Sequence, residues 1–216
     1  VRIGYGRQAC TVGMNRREMR PDGKVILGVN REGPTRPWAD VVRFDPAEGQ
    51  RPLAVLCSYA SHGTTLGGDN LLYTADYIGY AKSTIEQLLP GATALFAAGC
   101  SGDINPYPRG SFADCVDNGL RVGCAATQAA LAIDREIGDR RGEGADLGNL
   151  GIAYKNLGEP RKAIKYHEQA LAITREIGDK MAEGAILGNL GIAYRNLGEP
   201  RKAIEFYEQR LIIARE

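Results

Sequence analysis

The chain has 216 residues, of which 44% are hydrophobic and 25% are charged, and its formal net charge is +1. This balance is ordinary for a globular protein and gives no reason to expect a nucleic acid or an anionic membrane as partner. No apolar run approaches the roughly 20 residues of a membrane span, and no signal-peptide pattern opens the sequence. Because the first residue is Val1 rather than Met, we expect an internal fragment or a processed chain.

Residues 1–122 combine short apolar runs with glycine-rich loops, and we predict an α/β domain there. The runs 41–44, 52–59 and 93–98 are typical of strands, whereas 77–89 has the spacing of an amphipathic helix. Strand, helix and strand in this order predict an α/β layer. The loops 60–67 and 99–106 each follow a predicted strand. Since such loops hold the ligand in α/β sheets, we expect the two to lie close together.

Three polar groups in or near these loops are candidates for chemistry. His62 follows a predicted core strand, where a neutral imidazole serves as a zinc ligand or general base, or simply as a hydrogen-bonded loop residue. Asp103 and Asn105 lie in a Gly-Asp-x-Asn-Pro segment, which is either a turn held by Asx hydrogen bonds or a site facing a substrate oxygen. Asp76 belongs to a third polar cluster near the His62 loop. Composition alone does not choose a reaction.

Several motifs in order give this region a resemblance to the neutral/alkaline ceramidase family. They are Asn15-Arg16-Arg17, Asp40-Val41-Val42-Arg43-Phe44, Ser61-His62-Gly63-Thr64, Thr74-Ala75-Asp76-Tyr77-Ile78-Gly79-Tyr80 and Gly102-Asp103-Ile104-Asn105-Pro106. The resemblance covers about 120 residues, a slice of the family's catalytic domain. It implies a zinc-dependent amidase that splits the N-acyl bond of ceramide, in which the metal activates a water.

The resemblance also assigns roles to individual residues. It implies that His62 is a zinc ligand, that Asp103 and Asn105 are catalytic, and that Asn15, Arg16, Arg17 and Asp76 contact a lipid amide substrate. Asn105 stands where the family has serine, and this departure points to a ceramidase-like hydrolase with another substrate. One histidine cannot hold a catalytic zinc, which usually takes three protein ligands. We therefore expect that zinc belongs to the complete parent family, and that this chain binds it weakly and lacks ceramidase activity.

The five cysteines all precede residue 125. None is spaced as CxxC, which disfavours a zinc ribbon or redox motif, and their odd number excludes complete internal pairing. We expect buried, reduced thiols.

Residues 123–216 are predicted to be all-α because of an internal repeat. Units 135–174 and 175–214 align without a gap, and about 29 of their 40 positions are identical. Apolar residues recur at helical spacing, and Gly-Glu-Pro segments break the pattern. After one long helix, the pattern predicts helices near 143–157, 161–176, 183–197 and 201–215. His167, whose counterpart is Tyr207, is predicted on the surface.

This half resembles the tetratricopeptide repeat family through Gly151, Tyr154, Gly158, Ala163 and Ala170 and their second copies. The resemblance implies a protein or peptide ligand on a concave surface, without catalysis. We expect polar residues of the first helix of each repeat to line that surface: Asn149, Lys155, Asn156, Asn189, Arg195 and Asn196.

Three interpretations of the whole chain remain open at this point. The first is an incomplete ceramidase-like hydrolase fused to a protein-binding repeat array. The second is a non-enzymatic repeat scaffold, and the third is an artificial or misassembled fusion, since the junction near residues 119–139 falls within one predicted helix.

Overall fold

The protein is described by a computed structural model that covers residues 1–48 and 51–215. The chain divides into two compact units, Val1–Ile133 and Asp134–Glu216. The first unit is rich in strands and the second consists of helices, in agreement with the predicted fold class.

A four-stranded mixed sheet forms the centre of the first unit. Its order is β1-β4-β5-β6, with β5 and β6 parallel and the other pairs antiparallel. The parallel pair is joined by helix α1, which confirms the predicted strand–helix–strand unit. The bounds are β1 (Arg2–Ala9), β4 (Trp38–Asp45), β5 (Ala54–Tyr59), α1 (Asp76–Leu88) and β6 (Thr93–Ala98).

The hydrophobic core lies between one face of this sheet and the helices α1 and α2 (Phe112–Ile137). Alternate residues of β4 and β5, such as Val41 and Val55, point into this core. Helix α2 approaches β1 so closely that a Cβ atom added at Gly6 would lie 2.3 Å from the Ala129 carbonyl oxygen. The glycines of β1 therefore let a helix pack directly on the strand backbone.

A second, three-stranded sheet has the order β3-β2-β7. Its strands are β2 (Gly13–Met19), β3 (Val25–Asn30) and β7 (Ile104–Pro106), and all its pairs are antiparallel. The Tyr59 hydroxyl connects the two sheets, since it accepts a hydrogen bond from the Gly13 amide at 2.6 Å and donates one to the Cys10 carbonyl at 3.0 Å. The start of β2 is thereby held beside the end of β5.

The second unit contains two helix pairs that repeat along the chain. Each pair joins a first helix to a second helix that begins at a proline. The four helices are α3 (Arg140–Asn156), α4 (Pro160–Glu176), α5 (Lys180–Asn196) and α6 (Pro200–Ile213). Across residues 140–213 no strand interrupts them, as predicted.

The first helices of both pairs begin three residues earlier than predicted. Asp139 and Asp179 cap them, accepting hydrogen bonds from the Gly142 amide at 2.9 Å and the Ala182 amide at 3.0 Å. An N-terminal cap supplies an acceptor for an unpaired amide and so fixes where the helix starts. The sequence prediction did not identify this capping role. The long helix α2 also begins at Phe112, so the predicted domain boundary at residue 122 lies inside it.

Three further predictions about the environment of single residues were wrong. His167 is completely buried rather than on the surface, because its ring packs on Gly151 of α3. Asn105 lies in strand β7 rather than in a turn. A turn does occur just before it, at residues 101–104, where the Ile104 amide donates to the Ser101 carbonyl at 2.8 Å. Cys100 is exposed, whereas the other four cysteines are buried, and all five are free thiols.

Candidate functional site

The two loops that leave β5 and β6 meet at one edge of the sheet. The His62 amide donates a hydrogen bond to the Ile104 carbonyl at 3.1 Å, which confirms the predicted proximity of these loops. Strand β7 then pairs with β2, so that Met14 lies opposite Asn105 and Asn15 opposite Ile104. Because the two strands are antiparallel and in register, residues about 90 positions apart become neighbours.

A network of polar side chains occupies this edge. The Asn15 amide nitrogen donates to Asp103 Oδ2 at 3.1 Å, and both Asn15 and Asn105 are buried. Arg16 donates from Nη2 to the Gly102 carbonyl at 2.8 Å and from Nη1 to Asn105 Oδ1 at 3.5 Å. The Thr64 hydroxyl lies 3.5 Å from the same Asn105 oxygen. The guanidinium of Arg16 and the hydroxyl of Thr64 thus both point to the side-chain oxygen of Asn105.

The His62 side chain contacts Ser101, a residue of the loop that leads to this network. Its Nδ1 lies 3.5 Å from Ser101 Oγ, and its Nε2 is enclosed without a hydrogen-bond partner among the described residues. Such an unpaired nitrogen is the kind of atom that binds a ligand. A zinc ion nevertheless does not fit, because the residues whose side chains the structure describes (1–48, 51–133 and 138–215) contain no group of three His, Cys, Asp or Glu that could hold a metal.

The side chains of Asp76 and Arg17 lie outside the polar network that the other predicted site residues form. The Asp76 carboxylate accepts hydrogen bonds from the Leu66 amide at 3.0 Å and the Tyr77 amide at 2.7 Å, and it holds the loop to the start of α1. Arg17 is exposed. Only its backbone amide takes part in the network described above, by donating to Asn15 Oδ1 at 2.9 Å. The structure therefore joins the side chains of Asn15, Arg16, Asp103 and Asn105, but not that of Arg17.

The second structural unit carries another candidate site on α3 and α5, the first helix of each repeat. Asn149 and Asn156 are seven residues apart and so share one face of α3, as Asn189 and Asn196 do on α5. Ile152 lies between the two asparagines of α3 and is exposed, and Ile192 is its half-buried counterpart. We call these six residues the first-helix surface. Since α3 contacts α5, the two halves of this surface are neighbours.

Sequence reasoning missed Ile152 and Ile192 because they were assigned to the apolar face of each helix. The signal that finds them is the i, i+3, i+7 spacing, which places each isoleucine within roughly 60° of both asparagines about the helix axis. Lys155 and Arg195 occupy a different position, rotated by roughly 120° from Asn149 and Asn189 about the helix axis. These two cations therefore flank the first-helix surface.

Comparison with known families decides the nature of this second unit. A family model described as tetratricopeptide repeat matches residues 123–176 and 147–216. Residues 123–216 are tetratricopeptide repeats. Tetratricopeptide repeats support a protein-binding scaffold and point to proteins as partners. None of the helices in residues 1–48 and 51–215 is both long enough and apolar enough to cross a membrane.

Solved structures similar to the chain include both kinds of protein. A ceramidase complexed with C2 shares 23% identity at a TM-score of 0.48, and a neutral ceramidase from Pseudomonas aeruginosa shares 21% at 0.45; each alignment covers 59% of this chain and 22% of the ceramidase. The chain thus spans about a fifth of the length of these enzymes. The tetratricopeptide repeat domain of Arabidopsis FLU shares 24% identity at a TM-score of 0.41, over 44% of this chain and 79% of that domain. No curated protein matches by sequence.

Proposed function

We propose that the chain is an interaction scaffold that binds an extended protein segment on the first-helix surface. The observation that carries this proposal is the recurrence of the same side chains, Asn, Ile and Asn, at positions 40 residues apart on two adjacent helices. Carboxamides both donate and accept hydrogen bonds, so they pair with the backbone of an extended chain whatever its sequence. The isoleucines add apolar contact between them.

The charges beside this surface favour a particular class of segment. Lys155 and Arg195 recur at equivalent positions, so each repeat places one cation on the same flank. Complementary charge selects partners and speeds their encounter. The favoured ligand is therefore an extended segment with carboxylates spaced along one side.

Selection of peptides by display against the full chain tests this function. The dissociation constant of a selected peptide should rise by at least about tenfold in the double variant Asn149→Ala/Asn189→Ala, because central interface residues carry most of the affinity. The matched control is Lys165→Ala/Glu205→Ala, which alters equivalent exposed positions of the second helices. Equal loss in both double variants, or in neither, would reject the first-helix surface.

We propose as a second candidate that the N-terminal polar network is a ceramidase-like site that receives the amide of a lipid. Two donors, Arg16 and Thr64, are directed at the carboxamide oxygen of Asn105, and a substrate carbonyl accepts from the same kind of donors. The unpaired Nε2 of His62 also favours this candidate. The described residues do not supply a zinc ligand set, so amide hydrolysis is not expected of them.

Incubation of the purified chain with zinc and a fluorescent ceramide tests the absence of catalysis. We expect no hydrolysis above that of the variant His62→Ala. Hydrolysis that disappears in His62→Ala would contradict this expectation, since it would require a metal site completed by groups beyond those that the structure describes.

A further inference from the structure

Polar side chains gather on the face of the central sheet that points away from its core. Residues of β4 alternate in burial, so that Ala39 and Val41 point into the core and Asp40 points to the opposite face. In the strand register, Arg7 of β1 lies opposite Asp40 on one side, and Ser58 of β5 lies opposite it on the other. A carboxylate is therefore flanked by a cation and a hydroxyl on this outer face.

The Asp40 carboxylate holds two arginines together. Its Oδ1 accepts hydrogen bonds from the Tyr5 hydroxyl at 2.7 Å and from Arg7 Nε, and its Oδ2 accepts one from Arg36 Nη2 at 3.1 Å. We call these four residues the Asp40 cluster. Because both guanidiniums bond to oxygens of the same carboxylate, they lie close enough to each other to share a second anion.

The Asp40 cluster has more hydrogen-bond donors than its carboxylate uses. A guanidinium has five N–H groups, and Arg7 and Arg36 each bond to Asp40 through one nitrogen. The two arginine side chains are 44% and 55% exposed, so other N–H groups remain accessible to a ligand. Two cations and one anion leave the cluster with a charge of +1. A second carboxylate would neutralise that charge, and its two oxygens match the flat fork of a guanidinium.

Aromatic rings beside the Asp40 cluster specify the rest of the ligand. Trp38 lies two residues before Asp40 on the same face of β4 and is 42% exposed, and Tyr5 is 58% exposed. The half-buried Val42 lies opposite Tyr5 on this face. Cations thus border aromatic and apolar surface, and the complementary ligand carries its carboxylate on an aromatic ring.

We propose that the Asp40 cluster and Trp38 bind a small molecule that carries a carboxylate on an aromatic ring. The ligand carboxylate accepts hydrogen bonds from Arg7 and Arg36, and the ligand ring lies against Trp38. This site shares no residue with the N-terminal polar network or with the first-helix surface. The proposal therefore goes beyond both functions proposed above.

The fluorescence of Trp38 tests the proposal, because this residue is the one tryptophan of the chain. Phenylacetate is titrated into the full chain at constant ionic strength, and we expect a saturable change in the emission. Phenylacetamide is a neutral isostere of the probe, and acetate lacks its ring. Each should bind at least about tenfold more weakly than phenylacetate, since charge-assisted hydrogen bonds and ring contact both contribute.

Matched variants locate the binding site. The double variant Arg7→Gln/Arg36→Gln should raise the dissociation constant of phenylacetate at least about tenfold, because it removes both charged donors. The control Arg20→Gln/Arg109→Gln removes the same charge from two other exposed arginines of the first unit and should leave the constant unchanged. Urea unfolding checks that both double variants are folded. The single variant Arg36→Gln, altered in the loop before β4, should also weaken binding and serves if the double variant does not fold.

Three results would overturn the proposal. The first is equal affinity for phenylacetate in Arg7→Gln/Arg36→Gln and in the unmodified chain. The second is binding of phenylacetamide or inorganic phosphate as tight as that of phenylacetate, since the site would then not recognise a carboxylate on a ring. The third is the absence of a saturable fluorescence change together with the absence of saturation transfer from the protein to the phenylacetate ring in nuclear magnetic resonance.

Discussion

The two repeats have nearly the same sequence and yet differ in how much of it they bury. His167 of the first repeat is fully enclosed, whereas its counterpart Tyr207 is half-buried, and the same contrast separates Leu171 from Leu211. Among the described residues, α4 of the first repeat packs against both α3 and α5, whereas α6 of the second repeat packs mainly against α5. In a repeat array, the interfaces between neighbouring repeats contribute to the stability in addition to the repeats themselves. The comparison teaches that position in the array, rather than sequence, sets the environment of each side chain.

The largest expected difference concerns the two leucines. Leu171→Ala should reduce the free energy of unfolding by about 2–4 kcal/mol, because it leaves a cavity in a packed interface. Leu211→Ala should cost less than about 1 kcal/mol, since that side chain is mostly in water. Urea unfolding followed by far-ultraviolet circular dichroism measures both. Equal losses would mean that Leu211 is covered in solution.

The second difference concerns pH and the buried histidine. Burial, followed by the charge of Lys155, lowers the pKa of His167 to about 4. The unfolded chain, with an ordinary histidine pKa near 6.5, binds the proton more readily, so stability is complete above about pH 6.5 and is lost as the pH falls toward 4. The loss that this group contributes should reach about 3 kcal/mol.

The variant His167→Tyr isolates this contribution, because it gives the first repeat the residue that the second repeat has naturally. Comparison of its unfolding free energy with that of the unmodified chain at pH 7 and pH 4.5 removes the effect of the other titrating groups. We expect the unmodified chain to lose more stability on acidification. A difference in the opposite direction would contradict the burial of a neutral imidazole.

The smallest difference concerns the glycines beneath these rings. An added Cβ at Gly151 would lie 2.4 Å from His167 Cε1, and at Gly191 it would lie 2.3 Å from Tyr207 Cε1. Gly151→Ala should cost about 1–2 kcal/mol, because the enclosed ring must shift in a packed interior. Gly191→Ala should cost less, since the half-buried tyrosine can move toward solvent and alanine favours the helix. Thermal unfolding of the two variants compares them, and a larger loss for Gly191→Ala would show that the second repeat is the more rigidly packed.

The sequence predicted those parts of the fold that depend on local pattern. The four repeat helices follow from apolar spacing and Gly-Glu-Pro breaks, and the unit β5-α1-β6 follows from two apolar runs around a helical one. Strands β2 and β7 were missed because their residues are mainly polar or too few, and pairing between distant segments determines their conformation. The burial of His167 was missed because it depends on the absence of a side chain at Gly151, on another helix.

The proximity of the two loops at the N-terminal site could be predicted from the sequence, but the side-chain contacts within the site could not. Adjacent parallel strands bring the His62 loop and the residue 103–105 loop to one edge, as topology requires. The convergence of Arg16 and Asn105 depends on the register of β2 against β7, and no local pattern encodes that register. The contact of Asp76 with substrate stays a prediction, and the sequence did not indicate that its carboxylate accepts hydrogen bonds from backbone amides of the neighbouring loop and helix.

Site-specific photocrosslinking of a selected peptide ligand tests the central claim most directly. A photoreactive amino acid is placed at Ile152 or Ile192 on the first-helix surface, or at Lys165 or Glu205 on the second helices, in otherwise unmodified full chains. The account predicts crosslinks to the ligand from positions 152 and 192, and background yield from 165 and 205. Crosslinks confined to positions 165 and 205 would show that the ligand binds the second helices and would contradict the proposed scaffold.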